Sequence, residues 1–191
     1  MLSTTDAIVL SLQPYSDKAH ILHAYTRAYG RVNYKVYGLG RKHAIGLYTP
    51  LSLIRVTASY PVSGMPTIKE TTTNGSSLLG DTAFPQQTVR LFISEVLYHV
   101  LRHPMPDEPM FEYLTQAILE LSRTEKPQNF HVQFLIGLAA MLGFGMEQEP
   151  SLPTSRSERQ QTLRDLCKYF EEHVETWEEP KSLDVLMEVF D

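Results

Sequence analysis

Six residues between positions 31 and 43 have the types and spacing to hold a polyanion. Arg31, Lys35 and Tyr37 stand on the segment RVNYKVYG, and Arg41, Lys42 and His43 follow in the glycine-bearing stretch GLGRKHAIG. Strict alternation over 32–37 puts Val32, Tyr34 and Val36 on one face of a strand. Arg31, Asn33, Lys35 and Tyr37 share the other. Cations neutralise phosphates, an exposed aromatic ring stacks on an unpaired base, and glycine lets the backbone approach a phosphate closely. The chemistry expected of the six is binding of a nucleic-acid strand. One tyrosine is claimed by the core, and Tyr37 is expected to be the exposed one because it shares a face with Lys35. GLG is no nucleotide fingerprint, since no third glycine opens a helix at the required distance. The bland account of the same residues is a solvated hairpin whose charges keep an edge strand soluble.

Other chemistries find less support. His99 and His103 are four apart and expected on one helix face, where they could chelate an ion, but no glutamate stands between them and no third ligand is identifiable. His20 and His23 share a strand, and His131 opens a helix after Phe130; half-buried structural histidines are the simpler reading. The lone cysteine, Cys167, lies in the apolar stripe of a helix and can build neither an internal disulfide nor a structural zinc site of the usual kind. No serine stands in a GxSxG elbow, and FEEHVETWEEP reads as a solvated helix face. The expectation is a non-enzyme with no cofactor and no metal.

The net charge of −5 hides a sign split. Residues 1–80 hold eight basic groups against three acids, a surplus of +5; residues 81–191 hold nine against nineteen, or −10. The first part therefore favours polyanions and the second does not. No apolar run is long enough to span a bilayer. The opening MLSTTDAIVLSLQPY lacks a basic lead and a small-residue cleavage site, so a reduced, cytoplasmic protein is expected.

The first part reads as five short strands: DAIVLSLQPY, ILHAYTRAYG, RVNYKVYG, LSLIRVTASY and the threonine-rich PTIKETTT, with turns at Gly30, at 38–46 and at YPVSGMP. Five strands in so short a span predict a small antiparallel barrel of the OB type. The period then changes. Stripes at Val89–Leu101, Phe111–Leu121, Phe130–Leu142 and Leu163–Trp177 predict four helices, and Ser182 caps a short fifth. The fold expected is α+β, with an OB-type domain over 1–80 and a helical bundle over 81–191.

In order and spacing, TTDAIVLSLQPYSDKAHILHAYTRAYGRVNYKVYGLGRK, YTPLSLIRV, LFISEVLYHVLR, MFEYLTQAILEL, NFHVQFLIGLAAMLGF and KSLDVLMEVF resemble RecO, the family of bacterial recombination mediators, in its Bacteroides-like branch. The resemblance covers nearly the whole chain. It implies an OB fold followed by a helical domain, binding of single- and double-stranded DNA, and strand annealing. It also implies partnership with RecR, docking on the C-terminal tail of single-stranded DNA-binding protein, and help in loading RecA. Many members carry a four-cysteine zinc module after the segment matching MLGFGM; here EQEPSLPTSRSER has no cysteine, so that element is absent. An acidic tail needs a positive spot on the helical domain, and Arg102 and Arg123 are the expected residues. Two other classes stay open: an adaptor whose barrel docks a protein rather than DNA, and a hydrolase using His99 and His103.

Overall fold

A computed structural model describes residues 1–39, 46–73 and 83–190. The chain forms two compact units, Met1–Thr82 with Leu101–Gln116, and Ala83–Val100 with Ala117–Asp191. A single cut at residue 80 therefore omits one feature: Leu101–Gln116 returns to the first unit.

The first unit is a closed barrel of β1 (Leu2–Ser16), β2 (Ala19–Thr26), β3 (Gly30–Tyr37), β4 (Leu53–Ser59) and β5 (Thr67–Thr73). The strands run in the order β1-β2-β3-β5-β4. All pairings are antiparallel except β3 with β5, which meet in parallel at Lys35 and Thr67. This is the five-stranded OB-type arrangement that the alternation predicts. β1 has 15 residues and serves two neighbours, bending through bulges between Val9 and Ser11 and between Pro14 and Ser16. Period two sends Leu22, Ala24, Tyr34, Val36, Ile54, Val56 and Ala58 into one core, while Arg55 faces out. Tyr34 is fully buried and its hydroxyl meets that of Tyr60 at 2.7 Å. Burial, with that bond second, pushes its pKa up and keeps the phenol neutral.

Leu101–Gln116 lies against the β2–β3 side of the barrel. Gly30 has φ +63°, and a Cβ there would stand 2.1 Å from the Met105 carbonyl oxygen, so only glycine fits this approach. α2 (Glu108–Arg123) opens where Asp107 Oδ1 accepts the Met110 N–H at 3.0 Å. Arg27 clasps this start, donating to Glu108 and Glu112 with its guanidinium 4.6 Å over the Phe111 ring.

The second unit comprises α1 (Phe84–Val100), the remainder of α2, a 3-10 turn at Pro127–Asn129, α3 (Phe130–Met141), α4 (Arg156–His173) and α5 (Leu183–Val189). Val89, Phe92, Ile93, Val96, Leu138, Leu163, Leu166 and Phe170 make its core, on the stripes read from the sequence. Three details differ. Val174 and Trp177 continue the α4 stripe in sequence but lie beyond the helix, where the Trp177 ring packs 5.3 Å from that of Phe170. Met141 is 38% exposed. Ser182 occupies the N-cap of α5 without capping it. Its hydroxyl and its N–H both donate to Glu95 Oε2, at 2.7 and 2.9 Å, tying α5 to α1. A reciprocal capping box does form at the head of α4, between Ser155 and Glu158.

Candidate nucleic-acid interface

The outer face of β2 and β3 carries the candidate residues. Register pairs Tyr25 with Arg31, His23 with Asn33, Ile21 with Lys35 and Ala19 with Tyr37. One end of this face is covered and the other is open. At the covered end Tyr25 stacks on Phe111 at 6.3 Å and His23 Nδ1 meets Asn33 Oδ1 at 2.7 Å. Burial lowers the His23 pKa, the Asn33 bond opposing it and the charges of Arg31 and Arg102 adding to it.

Arg31 belongs to that covered end. It is 9% exposed, its Nη1 donates to the Leu101 carbonyl at 3.3 Å, and its own N–H donates to the His103 carbonyl at 3.0 Å. The expectation of a phosphate contact at Arg31 is corrected: alternation places it on the face of Lys35, but Leu101–Met105 lies over it.

At the open end Lys35 and Ile21 are half-buried, and Tyr37 is 56% exposed, in contrast to the buried Tyr34. Tyr15, which the sequence reading did not single out, is 61% exposed, and the Lys35 Nζ stands 5.9 Å from its ring centroid. The bulge beside Tyr15 brings this residue over β3, and no local signal in LQPYSDK announces it. Exposed Lys18 sits in the β1–β2 turn, and exposed Lys69 follows Thr67 on β5. Two accessible rings near Lys35 can stack bases while ammonium groups on the same barrel meet phosphates. Arg41, Lys42 and His43 lie outside the described residues.

The other candidates separate. Arg102 is exposed but lies in the connector past Val100 rather than on a helix; Arg123 is exposed and ends α2. They fall in different units. Arg90, the other basic residue of these helices, is 4% exposed with Nη2 on the Ser122 hydroxyl. The His99–His103 pair is corrected too, because α1 stops at Val100 and His103 lies beyond it. Among the described residues no group of three His, Cys, Asp or Glu side chains could hold a metal ion. His131 is sandwiched in the core, stacked on Phe190 at 5.9 Å and edge-on to Phe92 at 6.2 Å. Burial lowers its pKa to about 3. Cys167 is buried, which pushes its thiol up to about 12. No described helix is long and apolar enough to cross a membrane.

Comparison with known proteins adds the decisive observation. The family model for the N-terminal part of recombination protein O matches residues 1–76, and that for its C-terminal part matches residues 85–167. The chain belongs to the RecO family. Similar proteins named DNA repair protein RecO include one from Christiangramia forsetii, 26% identical across the full length of both chains. One from Flavobacterium johnsoniae is 26% identical over 97% of this chain and 98% of its own. One from Phocaeicola vulgatus is 34% identical over 75% of this chain and 61% of its own. The Christiangramia alignment runs to 238 positions against a chain of 191, so that RecO carries residues this chain lacks. Membership of RecO makes this a DNA-repair protein built from an OB-type barrel and a helical region.

Proposed function

We propose that this RecO-family chain binds DNA through the open end of the β2–β3 face, and that it does so as a recombination mediator rather than an enzyme. The observation that carries the reading is the pair of exposed rings, Tyr15 at 61% and Tyr37 at 56%, with Lys35 close to Tyr15 and two residues before Tyr37 on the strand that precedes Arg41, Lys42 and His43 in sequence. Lysines and arginines here release counterions from phosphates of single or double strands, so binding weakens steeply with salt. Stacking on the tyrosines needs unpaired bases, which suits a protein that anneals strands. The family likeness supports the remaining roles: action with RecR, docking on the C-terminal tail of single-stranded DNA-binding protein, and help in loading RecA. For the tail, Arg102 and Arg123 remain the basic positions proposed, each on its own unit.

The test is fluorescence anisotropy of a labelled single-stranded oligonucleotide, titrated at several salt concentrations with wild type, Arg41→Ala/Lys42→Ala and Tyr15→Ala/Tyr37→Ala. Removing two phosphate contacts should flatten the log–log salt slope by about 1.4, at ~0.7 per contact on single strands. Removing the rings should cost about 1–3 kcal/mol per stacked base with the slope kept. No binding at low salt would overturn the reading and leave the barrel as a protein-docking module.

A further inference from the structure

We propose that the α3–α4 connector and the exposed side of α4 form a docking groove for a partner-protein segment that presents an apolar side chain next to a lysine or arginine. The groove measures about 420 Å3, inside the ~300–1,000 Å3 usual for binding sites. Met146, Pro150, Leu166 and Tyr169 supply its apolar lining, and Glu147 and Asp165 supply charge.

The connector is anchored on both sides of this groove. At its start Tyr169 donates from its hydroxyl to the Phe144 carbonyl at 2.8 Å. Next to it, Gly145 passes so near α3 that a Cβ would stand 3.2 Å from the Ala140 Cα. At its end Asn129 Nδ2 donates to the Pro153 carbonyl at 2.8 Å. Thr154 gives both its N–H and its hydroxyl to Glu158 Oε2 at 2.8 Å. Residues 146–152 thus bridge two fixed points beside α4, and a preformed groove spares a ligand the cost of ordering the loop.

Charge chooses the occupant. Glu147 and Glu149 are exposed on the connector, and Asp165 is exposed on α4. Glu158 and Glu172 lie seven residues before and after Asp165, on the same stripe of the helix. The helical period puts the nearest cations of α4, Arg164 and Lys168, on the far side of Asp165 from Leu166 and Tyr169. A lysine or arginine entering between Glu147 and Asp165 meets acid from both sides, whereas an acidic peptide or a phosphate chain is repelled. The apolar lining then takes the neighbouring side chain.

The test uses the full chain, 15N-labelled, titrated with the acetylated peptide Leu-Lys-Leu-Leu-Arg-Leu and with its counterpart carrying glutamate at both basic positions. The expected result is amide shift changes confined to 146–152 and 162–169 with the basic peptide, and binding at least about tenfold weaker for the acidic one, equivalent to ~1.4 kcal/mol. Glu147→Lys/Asp165→Lys, at two exposed positions, should reverse that preference while amide dispersion stays native. Asp165→Asn gives the same comparison with a milder change should the double variant not fold. Equal binding of the two peptides would overturn the proposal, as would shift changes scattered over other surfaces. So would an oligonucleotide that moves the same amides.

Discussion

Arg31 and Lys35 are two pleats apart on one face of β3, and the structure gives them different surroundings, Arg31 buried and Lys35 half-buried. Arg31→Ala removes a guanidinium whose Nη1 donates to the Leu101 carbonyl at 3.3 Å. That distance is long for an N–H···O bond. The loss therefore sits at the low end of the ~1.5–3 kcal/mol range for bonds from charged donors, with the packing of the aliphatic stem lost besides. At ~2–4 °C per kcal/mol for a chain of this size, about 1.5 kcal/mol lowers the melting temperature by roughly 3–6 °C. Lys35→Ala removes a half-buried side chain at the open end and should stay within about 0.5 kcal/mol of wild type. Oligonucleotide anisotropy should show the reverse: a salt slope unchanged for Arg31→Ala and flatter by about 0.7 for Lys35→Ala. Thermal melts and salt titrations of the two purified variants make the comparison. An Arg31→Ala protein that melts like wild type but has the flatter slope would refute the placement of its guanidinium against Leu101.

Other outcomes follow from the same geometry. Arg27→Ala unclasps the start of α2 by removing its pairs with Glu108 and Glu112 and its contact with Phe111; these are partly exposed, so about 1–2 kcal/mol is expected, read as faster amide exchange over 110–116. His131 has a folded pKa lowered by burial to about 3, so the unfolded chain binds the extra proton. Stability is full above pH ~6.5 and falls on acidification from there towards pH 3, by at most about 2 kcal/mol at pH 5. In His131→Phe, urea midpoints should decline less over pH 7 to 5, and an identical decline would remove His131 as a cause. Cys167, buried with its thiol pushed up to about 12, should resist iodoacetamide in the folded chain and react fully in denaturant, as mass spectrometry would record. Gly30→Ala must push Met105 off the barrel and should be recovered largely unfolded or with a sharply lower melting point.

Local periodicity made much of the architecture legible before any tertiary contact was known. Val32, Tyr34 and Val36 point into the barrel because a strand repeats every two residues, and that same repeat separates the exposed Tyr37 from the buried Tyr34. Val89, Phe92, Ile93 and Val96 are buried because a helix repeats every 3.6. Most of the failures are non-local. Ser182 has the chemistry of a cap, but Glu95, 87 residues away, takes its hydroxyl. His103 keeps helical spacing from His99, yet α1 ends at Val100. Tyr15 joins Lys35 through a bulge that LQPYSDK does not signal.

The sequence by itself determined the two classes of element, the inward face of each strand and helix, and the placement of positive charge in the first 80 residues. Those properties depend on residues within a few positions of one another. Only the tertiary structure decided how much of the outward β2–β3 face remains open. The segment that covers Arg31 comes from Leu101, 70 residues further along the chain, and an outward-facing arginine has the same pattern whether water or another segment lies above it. Among the described residues, Leu101–Gln116 meets this face at Tyr25 and Arg31, while Tyr37 and Tyr15 are exposed and Lys35 is half-buried towards the other end.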